Sequence, residues 1–138
     1  MKNTVQLTIL LLSSLALSSC GKEIKPDSTS LVNTHWRLIS INGVPANIKP
    51  EATLKFDSKK ASGFSGCNRY FSKYSTNQNS VSFQNIGSTK MLCSNQSSIN
   101  MESQLLTSLH AAKSFYINSK KQLLIQSSSG SLLFNSTN

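Results

Sequence analysis

The strongest constraint on the fold is a succession of short stretches in which apolar and polar residues alternate, each ended by turn-forming residues, and interrupted once by a stretch of helical period. Thr34 to Asn42, with His35-Trp36-Arg37-Leu38-Ile39-Ser40-Ile41 inside it, runs into the turn dipeptide Asn42-Gly43 and reads as a first strand. Trp36 and Leu38 would share one face, with Ile39 and Ile41 on the other. After a connecting loop carrying Pro45 and Pro50, Thr53 to Asp57 alternates as a second strand with Leu54 and Phe56 inward. Ala61 to Asn68 follows as an extended strand punctuated by Gly63 and Gly66, which mark a bulge or a close backbone approach, and Tyr70, Phe71 and Tyr74 continue it. Ser75 to Ser80 turns, and Val81-Ser82-Phe83 with Ile86 forms another strand.

Between Ser97 and Ala112 the period becomes helical: Met101, Leu105, Leu109 and Ala112 make one stripe with Leu106 beside it. The helix is expected to start near Ser97 or Ser98, with its one acid, Glu102, in the early turns where the helix dipole favours it. Ser114 to Ile117, a turn at 118–121, Gln122 to Gln126 and Ser131 to Phe134 finish the chain as strands. The expected class is mainly β with one α-helix, in the order four strands, helix, three strands, forming an antiparallel sheet curled on itself with the helix covering one open end.

Lysine and arginine number 14 against 5 acids, a formal charge of 14 − 5 = +9 that at first suggests nucleic acid. The first twenty residues point elsewhere. Lys2 supplies a positive start, Val5 to Leu12 with Leu15, Ala16 and Leu17 supply a short apolar core, and Leu17-Ser18-Ser19-Cys20 ends it with small residues before a cysteine. This is the pattern of a lipoprotein signal, in which the Cys20 thiol takes diacylglycerol and cleavage frees an amino group for acylation. An ordinary signal peptide with an incidental Cys20, or an uncleaved helical anchor, are the alternatives. Residues 1–19 are thus read as signal peptide, 20–30 as lipidated cysteine and flexible tether, and 31–138 as one domain. Several acyl chains, at about 0.8 kcal/mol for each buried methylene, would make release from the membrane slow. Gly21 favours the outer membrane if the organism is Gram-negative, since an aspartate there typically retains a lipoprotein in the inner membrane. Cleavage would remove Lys2 and leave 13 − 5 = +8 on 138 − 19 = 119 residues, so the excess charge belongs to the exported domain and tether.

Setting Cys20 aside leaves Cys67 and Cys93, an even pair in a chain that matures outside the cytoplasm, most economically a disulfide. Closing a loop of 93 − 67 = 26 residues would restrain the unfolded chain by about 3.5 kcal/mol. A metal pair or a reactive thiol are the other readings. His35 and His110 have no ligand-like spacing to either cysteine, so neither a metal nor a cofactor is expected.

Gly63-Phe64-Ser65-Gly66-Cys67-Asn68-Arg69-Tyr70-Phe71, followed by Thr89-Lys90-Met91-Leu92-Cys93, resembles the META domain of the HslJ-like bacterial lipoproteins. Trp36-Arg37-Leu38 with Asn42-Gly43, Leu54-Lys55-Phe56, Leu123-Leu124 and Leu132-Leu133-Phe134 sit where that family has its opening and closing strands, so the resemblance covers 31–138. It implies a small lipocalin-like barrel or curled sheet, an envelope location, a link to heat and antibiotic stress, and no enzymatic activity. Where many members have Thr-Arg-Met this chain has Lys90, which keeps the charge but loses planar bidentate hydrogen bonding.

Catalysis finds few residues. A nucleophilic Cys67 would need a free thiolate with His35 or His110 as base, and beyond the tether the only carboxylates are Glu51, Asp57 and Glu102. Asn68, Arg69, Tyr70 and Lys90, with Tyr74, could form a polar binding patch, against the alternative that Asn68 serves its own turn and Arg69 the surface. Trp36, Met91 and Leu92 are expected in the core. The expectation is therefore a non-catalytic, lipid-anchored, monomeric envelope protein, facing the periplasm from the outer membrane and supporting envelope integrity or stress tolerance. Its partners would be the membrane through Cys20 and an anionic envelope component or envelope protein, not nucleic acid. A small-molecule carrier and a protein-docking or inhibitory module are the alternatives.

Overall fold

The structure is a computed structural model that describes residues 30–137; the signal segment, Cys20 and the tether up to residue 29 lie outside the described residues. The alternating stretches form antiparallel strands β1 (Thr34–Ile41), β2 (Val44–Pro45), β3 (Thr53–Phe56), β4 (Lys60–Phe64), β5 (Arg69–Asn77) and β6 (Ser80–Ser88), then helix α1 (Gln96–His110), then β7 (Ala112–Ile117), β8 (Gln122–Ser127) and β9 (Gly130–Ser136). Apart from β2, which only folds back on β1, each strand pairs with the next, and β9 pairs with β1, closing an eight-stranded barrel. Closure leaves little open edge for pairing with another chain: β2 has one free side, and β6 meets β7 only at Ser80 and Ser114.

The barrel has two rims. The N-terminus, the turns at 57–59, 78–79 and 118–121, and the C-terminus share one of them, since Thr34 lies opposite Phe56, Lys60 opposite Lys73, and Trp36 opposite Ser136. Thr137 N–H donates to the His35 carbonyl at 3.0 Å, so the two chain ends of the domain run side by side there. The far rim carries the turns at 42–43, 65–68 and 128–129, and α1 spans it. The helix starts beside the 65–68 turn, and Ser128 N–H donates to the Ala111 carbonyl (3.2 Å) just past its end.

The interior is filled by side chains. Leu54, Phe56, Leu123, Ile125, Leu132 and Phe134 are fully buried, and the helix adds Leu105 and Leu109 from the predicted stripe. Phe56 packs edge-on against Tyr74 with ring centroids 4.8 Å apart. Trp36 is in the core, its indole N–H donating to Thr34 Oγ1 at 2.7 Å. Leu31, also buried, belongs to the same cluster near the N-terminal rim.

Four details differ from the sequence reading. Ile41 joins Trp36 and Leu38 in the core because β1 bulges at Ile39: Leu38 lies opposite Phe134 but Ser40 opposite Leu133, so the alternation skips one residue. The stretch 61–74 is two strands, not one. The chain reverses at 65–68, with Phe64 opposite Arg69, and Gly66 supplies the left-handed conformation (φ +98°) that the turn requires. The helix cap is Asn95, whose side chain accepts from Ser98 N–H at 3.2 Å, so the helix begins at Gln96, one or two residues before the expected start. Met91 and Leu92 are 66% and 103% exposed, not in the core.

Candidate functional site

The glycine-cysteine-asparagine segment folds into the tight turn between β4 and β5, and a carboxylate from the helix organises it. Glu102 Oε2 accepts from Asn68 N–H at 2.9 Å, and Glu102 Oε1 accepts from the Asn68 side-chain amide at 3.1 Å. The Ser65 hydroxyl lies within reach of both Glu102 Oε2 and the Asn68 carbonyl (2.8 Å), and its one proton serves one of them at a time. Ser65 and Asn68 are buried, so a carboxylate acceptor here satisfies donors that water cannot reach.

Asn68 also ties in the 89–93 loop. Its side-chain oxygen accepts from Thr89 Oγ1 (2.9 Å) and from Met91 N–H (2.8 Å). Its amide nitrogen lies 3.2 Å from Cys67 Sγ, and its carbonyl accepts from Ser65 N–H at 2.9 Å. Every polar atom of Asn68 is thereby used. A disulfide joins Cys67 to Cys93 with Cα atoms 6.0 Å apart, fastening the other end of the same loop. The segment Thr89-Lys90-Met91-Leu92-Cys93 is thus held at both ends, with Lys90, Met91 and Leu92 turned outward between the fastenings.

The four residues of the expected polar patch separate. Asn68 is buried and serves the turn. Tyr70 is 2% exposed and donates its hydroxyl to the Thr53 carbonyl at 2.7 Å, and burial pushes its phenol far above the usual tyrosine range. Gly63 leaves the room for that bond: a Cβ at this position would collide with the Thr53 carbonyl and the Tyr70 hydroxyl. Arg69 and Lys90 are exposed beside the loop, Arg69 being fixed through its backbone, whose N–H donates to Thr89 Oγ1 (3.1 Å) and whose carbonyl accepts from Thr89 N–H (3.0 Å). What the turn and disulfide present outward is therefore an apolar pair with two cations at one end of it.

The sequence reading missed Ser65, Thr89 and Glu102 as members of this network. Glu102 was assigned to the helix dipole, yet it is the helix's one acid in a chain with only two other carboxylates past the tether, and that scarcity was the available signal. Glu51 is occupied by ion pairs with Lys49 (2.8 Å) and Arg37 (3.0 Å), whose hydrogen bonds hold its carboxyl below the usual range, Lys49 more than Arg37. Among the described residues, one open surface depression lies on the outer wall beside Thr53, Lys55, Phe64 and Arg69, and another lies beside the helix, lined by Ile86, Leu106, Thr107, His110 and Ala111.

A search of curated proteins finds no match to the chain. Among solved structures, an NMR structure of a protein from Burkholderia xenovorans is similar over 95% of this chain and 99% of its own, with 23% identity and a TM-score of 0.64. A second NMR structure is similar over 75% of this chain and 88% of its own, with 20% identity and a TM-score of 0.62. At these identities the likeness concerns the fold. META domains are not a known enzyme family. The META domain family model matches residues 29–137, which takes in the whole barrel, the turn and the disulfide, and the chain belongs to that family.

Proposed function

We propose that this is a non-catalytic, lipid-anchored envelope protein of the HslJ type, which supports outer-membrane integrity or stress tolerance by binding another envelope component. The observation that carries the reading is the 89–93 loop: a disulfide at Cys93 and a buried hydrogen-bond network at Asn68 hold an outward-facing Met91-Leu92, with Lys90 and Arg69 exposed at its Thr89 end. Such fastening lowers the entropy cost of presenting an apolar pair to a partner. A disulfide also suits an oxidising compartment, as does a chain that opens on an apolar segment ended by Cys20.

Of the three described carboxylates, Glu51 is held in ion pairs and Glu102 lies under the turn, which favours binding over catalysis. The filled interior likewise favours a surface partner over a carried ligand. Photo-crosslinkers placed at Leu92 and, for comparison, at Tyr116 on the outer wall test this in intact cells. A discrete crosslinked species from Leu92 and none from Tyr116 is expected; equal yields from both positions would refute the site.

A further inference from the structure

The two rims of the barrel differ in charge as well as in position. The rim where the domain's chain ends meet bears Lys59, Lys60, Lys73, Lys120 and Lys121, all exposed, against one carboxylate among the described residues, Asp57. The backbone brings these turns together with the N-terminus. Lys59 carbonyl accepts from Tyr74 N–H (3.2 Å), Lys121 carbonyl accepts from Ser136 N–H (3.2 Å), and the next residue, Thr137, bonds to His35. At the far rim, Lys49 and Arg37 share Glu51, Glu102 lies under the turn, and Arg69 and Lys90 stand exposed beside it, so four cations face two carboxylates there while five face one at the near rim.

We infer that the lysine rim is a docking face for anionic phospholipid headgroups, and that the barrel stands on the bilayer with α1 and the Met91-Leu92 loop pointing away from it. The inference rests on the lipid-anchor reading for its geometry. Residues 21–30 reach at most about 35 Å when extended and about 17 Å as a flexible coil, so the rim they enter is the part of the domain held nearest the membrane. Lys22 and Lys25 in that connection are offset by Glu23 and Asp27, so the positive charge comes from the rim itself. A lysine close to an anionic surface raises partitioning roughly fivefold, and the attraction decays within a Debye length, so only the near rim benefits. Phospholipid is the favoured occupant because Lys59 and Lys60 lie at one turn, Lys120 and Lys121 at another and Lys73 on β5, a spread that matches a plane of spaced phosphates better than one compact anion.

The test is site-resolved acetylation of lysines in the full-length purified chain. The protein is mixed with vesicles of phosphatidylglycerol and phosphatidylethanolamine, or of phosphatidylcholine alone, at roughly 0.05 M and roughly 0.5 M salt. Lys59, Lys60, Lys120 and Lys121 are expected to react about fivefold more slowly on the anionic vesicles, while Lys49 and Lys90 change by less than about twofold, with the difference lost in high salt. Equal slowing at both rims, slowing confined to Lys49 and Lys90, or the same pattern on phosphatidylcholine would overturn the inference. In the double variant Lys59→Glu/Lys120→Glu, whose changes lie in exposed turns, protection of Lys60 and Lys121 should disappear; its persistence would also overturn it. Flotation with phosphatidylcholine vesicles reports the anchor separately, so failure of the anchor reading is not confused with failure of the docking face.

Discussion

Glu102 reaches from the helix to the backbone N–H of Asn68, 2.9 Å away, and so couples the lid of the barrel to the turn that carries the disulfide. Replacing Glu102 by Gln keeps the length but turns an NH2 group toward one of the two sets of donors. Glu102→Gln is expected to lower stability by about 2–3 kcal/mol, because donors in a buried turn are left unmatched. Denaturant unfolding measures this, and an unchanged midpoint would show that the turn holds without the helix.

The disulfide closes a 26-residue loop that includes all of β5 and β6. The double variant Cys67→Ser/Cys93→Ser should lose about 3.5 kcal/mol on the loop-entropy argument. Thermal unfolding with and without reductant is the check: reductant should lower the melting temperature of the parent and leave the variant unmoved. A parent insensitive to reductant would contradict the bond.

Exposure separates Leu92 from Leu105. Leu105→Ala empties a fully buried position and is expected to cost about 2–5 kcal/mol, whereas Leu92→Ser should stay within about 0.5 kcal/mol. Comparable losses from the two would return the Met91-Leu92 pair to the core.

Tyr70 predicts alkaline sensitivity. Its phenol is held protonated by burial, so its folded pKa lies above the unfolded value near 10. The sign follows: below that unfolded value both states are protonated and the contribution is whole, while above it only the unfolded chain releases the proton and stability falls. Unfolding midpoints followed upward from about pH 9 should decline faster in the parent than in Tyr70→Phe, which cannot ionise there. Parallel declines would refute the assignment.

Much of the barrel was legible because Leu54, Phe56, Val81 and Phe83 obey strict alternation, and burial of one face is what such alternation encodes. Ile41 broke the rule through a bulge that no local pattern marks, since bulges arise from how β1 meets β9. The reversal at 65–68 was hidden because glycine and small residues are as compatible with an extended bulge as with a turn. Met91 and Leu92 misled for a different reason. Hydrophobicity usually implies burial, but a segment fastened by Cys93 and Asn68 does not have to bury its side chains to stay in place. Glu102 was visible as a residue and invisible as a partner, because its contact with Asn68 spans 34 positions in sequence.

Closure of β9 on β1, with Thr137 bonded to His35, makes the domain nearly circular as a chain. Its beginning and end are one place, and a short bridge could join them while the strand order stayed the same. The turn at Gln78-Asn79 could then serve as new termini on the same rim. The order in which this barrel is threaded is therefore not fixed by its packing, and its architecture could be written from another starting residue.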